Sequence, residues 1–224
     1  MEQLRKRLIN PLSSLKSGDI KEIENKFGEI AKRLICKYCI KTDTEIFRFA
    51  ELEFYYYKKD VWDQEWNGVT YPRNKNIGEL FFHYSGVDIC FQTHLDDEEG
   101  YVEFGGILIR SLFVLDENRK LQHLHAGPLY CANLMLNSCD NTLPQLDIAE
   151  EINCEIKPAV RFGIEKAERE REEKADFKLC FYIDSINDYQ LNWKEASKRS
   201  VWNVKEGKFV VSKRNYARER FNIK

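Results

Sequence analysis

The chain has 224 residues, 43% of them apolar and 32% charged, with a net charge of −2. That balance describes a soluble globular protein with a substantial core, and no apolar run approaches the ~20 residues of a membrane-spanning helix. The charge is uneven: from Trp193 to Lys224 ten Lys or Arg stand against three Glu, which is +7 and leaves −9 for the rest. An acidic body argues against strong non-specific binding to nucleic acid, while a basic tail supplies local attraction.

Residues 1–18 are polar with scattered leucines and read as an N-terminal arm without a hydrophobic leader. Asp19 is placed to cap the following helix, in which Ile20, Ile23, Phe27, Ile30, Ala31 and Leu34 recur at helical spacing. Ile35 to Lys41 turns into a strand. Lys41 to Thr44 is a turn, and Glu45 to Tyr57 is the returning strand. Strict alternation along it puts Phe47, Phe49, Glu51, Glu53 and Tyr55 on one face, and Arg48, Ala50, Leu52, Phe54 and Tyr56 on the other. Two carboxylates among aromatics suggest partial burial, which is how a general base near neutrality is made.

Asp60 to Asn76 has no period and carries Asn67-Gly68 and Pro72-Arg73-Asn74, so it reads as a long functional loop containing Trp62 and Trp66. Glu79 to Tyr84 and Val87 to Phe91 are strands around Ser85-Gly86. Gln92 to Gly100 is an acidic loop. Phe104 to Arg110 is a strand whose Gly105-Gly106 pair marks a close approach of backbone to something else. Arg110 ends an apolar run and needs a partner if buried. Leu115 to Ala126 reads as loop. Pro128 opens a helix, Asn141 to Asn153 is a connection, and Ile156 to Ile164 and Phe177 to Ile183 form a last strand pair.

The seven cysteines are scattered through apolar segments, which predicts reduced thiols and a reducing, cytoplasmic setting. Cys36 and Cys39 form a CxxC at a helix-to-strand join rather than a helix N-terminus, which favours a structural role. The domain reading is an arm over 1–18, one domain over 19–192 and a basic tail over 193–224.

In order and spacing the chain resembles the alkyladenine (3-methyladenine) DNA glycosylase family from about Phe27 to Ile183. Glu51-Leu52-Glu53-Phe54-Tyr55 is similar to the family's Glu-x-Glu-Ala-Tyr. Tyr71-Pro72-Arg73-Asn74 is similar to its Thr-Pro-Arg-Asn turn. Ser85-Gly86-Val87-Asp88-Ile89-Cys90 resembles its Tyr-Gly-x-x-x-Cys, and Leu108-Ile109-Arg110-Ser111 its Leu-Leu-Arg-Ala. Gly127-Pro128, Arg161-Phe-Gly-Ile164 and Leu179-Cys-Phe-Tyr182 resemble later family runs.

The resemblance implies an α+β (mixed α/β) fold, a single domain around a curved antiparallel sheet. It also implies a monofunctional hydrolase that flips a modified purine out of DNA and cleaves its N-glycosidic bond without metal or cofactor; the chain is expected to act as a monomer, away from membranes. Glu53 would activate water and Arg110 would hold that water. Tyr55 and Phe82 would stack on the base, with Gln64 and Gln92 also lining the base pocket. Arg73, Asn74, Tyr84 and Ser85 would meet the DNA. The chain departs from the pattern at Gln64, where the family has His, at Ser85, where it has an intercalating Tyr, and at Gln92, where it has Asn. An altered site that binds nucleic acid or a nucleotide without turnover is the alternative.

Overall fold

The protein is described by a computed structural model covering residues 19–62, 69–91, 93–118, 120–161 and 177–186, together with the backbone of 189–190, 200–203 and 208–211. The expected arm, Gln64, Trp66, Gln92, the charge run at 166–176 and most of the basic tail lie outside the described residues.

Helix α1 spans Ile20–Lys37 and is capped as expected, with Asp19 accepting from the Lys21 amide. Its face of Ile23, Phe27, Ile30, Ala31 and Leu34 is fully buried. Phe27 is the centre of that contact: it stacks on Phe54 at 4.7 Å between ring centroids and meets Tyr56 edge-on at 5.8 Å. Such pairs add to the burial of large apolar surface that holds helix to sheet.

The sheet is antiparallel. Strands β1 (Tyr38–Lys41), β2 (Ile46–Lys58), β3 (Leu80–His83), β4 (Gly86–Cys90), β5 (His94–Asp96) and β6 (Gly100–Leu115) are followed by β7 (Leu121–Ala126). Helix α2 (Pro128–Asn137) comes next, then β8 (Gln145–Ile148), β9 (Cys154–Ala159), β10 (Cys180–Ile186) and β11 (Tyr189–Gln190). The path across the sheet runs β11-β10-β2-β6-β4-β3, with β1, β5, β7, β8 and β9 branching from it. β12 (Ser200–Asn203) and β13 (Lys208–Val211) pair with each other as a hairpin inside the basic tail. The result is a curled antiparallel sheet with two helices, the mixed α and β class that the sequence suggested. Among the described residues no helix is long and apolar enough to cross a membrane.

Four sequence expectations change. The stretch expected as an acidic loop, Gln92 to Gly100, holds the short strand β5, which pairs with β6. The segment Leu115–Ala126 holds strand β7, because its alternation is hidden by His123 and His125, which face outward or half outward at the sheet's edge. The connection after α2 holds β8, paired to β1. The simple alternation along β2 breaks as well. Its ladder to β6 shifts register on both sides of Glu51, and Phe47 and Phe49 join the core cluster with Leu52 and Phe54. Bulges re-aim side chains in this way.

The cysteines also differ from expectation. Cys36, in the last turn of α1, is disulfide-bonded to Cys154 at the start of β9 across 118 residues, while Cys39, Cys90, Cys131, Cys139 and Cys180 are free. The fold brings the helix end and the strand start to a Cα separation of 6.5 Å, within disulfide reach. Sequence spacing cannot reveal that meeting, and the pairing removes the ground for reading a reducing compartment. Arg48 secures the same corner. It is buried and donates to the carbonyls of Cys36 at 2.8 Å, Ile35 at 3.3 Å and Glu150 at 2.8 Å, satisfying the open end of α1.

His125 on β7 titrates near pH 4, held down first by burial and then by the charge of His123. A histidine with a lowered folded value stabilises the fold above its unfolded value and loses that contribution as pH falls. Urea midpoints should therefore drop between pH 6.5 and 4 more steeply for the natural chain than for a His125→Leu variant, and parallel profiles would disprove the assignment.

Candidate functional site

The register of β2, β6 and β4 builds a polar patch on the sheet face away from α1. Partners directly opposite in an antiparallel pair point to one face. One row runs Cys180, Glu53, Leu108, Asp88, Phe81, and the next runs Tyr55, Gly106. Glu53, Tyr55 and Asp88 therefore share a face.

Glu53 is fully buried, and its Oε2 accepts from Tyr55 Oη at 2.9 Å and from Arg110 at 3.2 Å. Glu51 is equally buried. It accepts from Ser111 Oγ at 2.9 Å, has Cys180 Sγ at 3.4 Å, and lies 3.8 Å from Arg110 Nε. Arg110 thus serves both carboxylates, as its position after an apolar run required. Removing one member of such a cluster leaves an uncompensated buried charge. Tyr55 titrates well above the usual phenol range, first because it is buried and then because of the charge of Glu53. It is a neutral hydrogen-bond donor to that carboxylate.

Sequence reasoning assigned no role to Arg161, and the structure gives it one. Its guanidinium lies 4.9 Å from the centre of the Tyr55 ring and donates to the Phe54 carbonyl at 3.0 Å. A cation over an aromatic face holds that ring in place.

Arg73 sits inside the protein. It is 3% exposed, donates to Asp88 at 2.5 Å and to Thr70 Oγ1 and the Tyr71 carbonyl, and stacks 4.5 Å from the Tyr71 ring. Its guanidinium lies over Gly106, where an added Cβ would come within 2.6 Å of Nε. That is the close approach the glycine pair foretold. Arg73 therefore anchors the loop, while Asn74, Tyr84 and Ser85 are exposed. Tyr84, at 92% exposure, is the aromatic side chain standing out from the β3–β4 turn.

Phe82 falls on the other face. Its partner is Val87, and it packs on the hydrophobic core, whereas Phe81 and His83 share the face of Glu53. The cause is parity: Phe81 pairs with Asp88, and a one-residue step in a strand reverses the side-chain direction. The expected second stacking wall is thus not Phe82. Trp62 is buried against Phe177 at 5.4 Å between centroids and closes the core after the turn at Asp60. A groove of about 740 Å³ is lined by Arg33, Cys36, Glu151 and Cys154 among others, and not by Glu53, Tyr55 or Arg110. Among the described residues no three His, Cys, Asp or Glu come together as a metal site would need.

The buried cluster yields two expectations. Replacing Arg110 with Met should destabilise the chain by about 3–5 kcal/mol in urea titrations, and combining it with Glu53→Gln should cost less than the two single changes summed. Additive costs would mean that the two side chains do not interact. Gly106→Ala should cost about 1–3 kcal/mol by pushing on Arg73, and an unchanged midpoint would contradict the packing.

The chain matches no protein-family model, no curated protein and no solved structure, so the chemistry of this site has to be read from its own residues.

Proposed function

We propose that this chain is an N-glycosyl hydrolase of the alkyladenine DNA glycosylase type, which removes a modified purine from DNA with Glu53 as the base that activates water. The observation that supports this most is the buried contact of Glu53 with both Arg110 and Tyr55. The residue types match the chemistry. Cleavage of an N-glycosidic bond builds positive charge on the sugar, and a carboxylate stabilises it and takes a proton from the attacking water. An adjacent guanidinium pairs with that carboxylate and fixes its position. The bond from C1′ to the base nitrogen breaks with its electron pair staying on the base, the bond from C1′ to the water oxygen forms, and the water's proton passes to Glu53 and from there to the released base.

In this reading the extruded purine stacks on the Tyr55 ring, recovering part of the few kcal/mol that extrusion costs. The exposed Asn74, Tyr84 and Ser85 line the approach of the strand. Serine at 85 cannot fill the gap in a duplex, so single-stranded or already unpaired substrates suit the site better.

A second reading has its own support. The Glu53 carboxylate already holds two partners and the Tyr55 ring is braced by Arg161, an arrangement equally suited to binding a base without turnover. One experiment separates them. Purified protein is incubated with single- and double-stranded oligonucleotides carrying alkylated or deaminated purines, and the free base is measured by liquid chromatography. The hydrolase reading expects release that falls by about 10²–10⁴ in Glu53→Gln. Saturable binding without release, equal in both proteins, would replace it with the binding reading, and neither release nor binding by folded protein would sink both.

A further inference from the structure

A second cluster lies on the same sheet face as Glu53, and base excision gives its His83 and Asp88 no chemical role. Ser85 Oγ lies 2.9 Å from His83 Nδ1 across the β3–β4 turn. His83 Nε2 lies 3.5 Å from Asp88 Oδ1. Both of these atoms are buried, and neither has a hydrogen-bond partner among the described residues, so they face each other alone. Asp88 is 1% exposed, and Arg73 holds its other oxygen, Oδ2. Arg73 thereby fixes the carboxylate and leaves Oδ1 to the imidazole. Ser85 at the far end is exposed.

The chemistry follows from the order of the groups. When Nδ1 accepts the serine proton, Nε2 carries the ring hydrogen, 3.5 Å from Asp88 Oδ1. A buried carboxylate behind a histidine, and the histidine behind an exposed hydroxyl, is the arrangement that makes a serine nucleophilic, here with the two ring nitrogens exchanged. Catalytic contacts of this kind are often long before substrate arrives.

A second feature stands beside the turn. Helix α2 begins against Gly86, where an added Cβ would lie 2.8 Å from Pro128 Cβ. Its N-cap is Gly127, which offers no side-chain cap. The first-turn amides of a helix have no acceptor within the helix and carry partial positive charge, which suits a developing oxyanion. The surroundings are aromatic and apolar, with Tyr84 92%, Leu129 46% and Tyr71 42% exposed.

We propose that Ser85 is a nucleophile activated by His83 and Asp88 and that it accepts acyl groups from small uncharged esters. Ser85 Oγ bonds to the acyl carbon as its proton passes to His83 Nδ1. The ester C–O bond breaks and the alcohol leaves with that proton. Water then releases the acid and restores the hydroxyl. Arg73 is committed to Asp88, and among the described residues this cluster holds no further cation for a phosphoester, which is why an uncharged acyl group fits. The proposal does not rest on Glu53.

The test is labelling of the full chain with an alkyl fluorophosphonate, in which the Oγ–P bond forms, the P–F bond breaks and fluoride leaves. One adduct is expected, mapped to Ser85 by peptide mass spectrometry and absent in Ser85→Ala, an exposed change that leaves the fold intact. In His83→Gln, checked for folding by circular dichroism, the labelling rate should fall by roughly a hundredfold. The native chain should also hydrolyse 4-nitrophenyl acetate, and Ser85→Ala should not. No adduct at Ser85, an unchanged rate in folded His83→Gln, or equal labelling of urea-unfolded chain would each overturn the proposal.

Discussion

The structure depends on keeping charge buried on one face of its sheet. Glu51, Glu53 and Asp88 are at most 1% exposed, and Arg73, Arg110 and Arg161 at most 4%. Isolated charges cannot be held in such surroundings, so each must be paired or hydrogen-bonded. Arg110 reaches two carboxylates, Arg73 takes one, and Arg161 spends its guanidinium on a carbonyl and an aromatic ring. The other face is the opposite in character. Phe27, Phe54, Phe91 and Phe181 interlock there and need no partner beyond good packing.

This division links the fold to the proposed chemistry. An apolar face supplies stability through area removed from water. A charged face adds little net stability, yet the loss of any member is costly, so its geometry is held rigidly. Rigid, water-poor surroundings are what a base, a stacking ring and a hydrogen-bonded relay all need. The register decides which groups gather: Glu53 and Asp88 lie in one cross-strand row, with Leu108 of β6 between them. The two clusters are neighbours because β2, β6 and β4 are adjacent strands.

Much of this was visible in the residues. Helix α1, its Asp19 cap, the long strand β2 and the start of α2 at Pro128 all carry local signals, since caps, period and proline placement act within a few residues. The suspicion that Glu51 and Glu53 share a buried face and that Arg110 needs a partner also came from strand parity and an apolar run. The Phe82 assignment did not survive, because a position carried across by spacing says nothing of pleat direction near a turn. Asp88 was legible in principle: a carboxylate between Val87 and Ile89 of a buried strand demands a partner.

The sequence by itself determined where the two helices and the long strand β2 form and that charge would be buried among aromatics, because those signals are local periodicities. Only the tertiary structure decided the partners. Arg161 meets Tyr55 across 106 positions, Cys36 meets Cys154 across 118, and Arg73 finds Asp88 over a glycine that leaves room for it. Such pairings depend on which strands become neighbours and in what register, and chain order does not encode that one residue at a time.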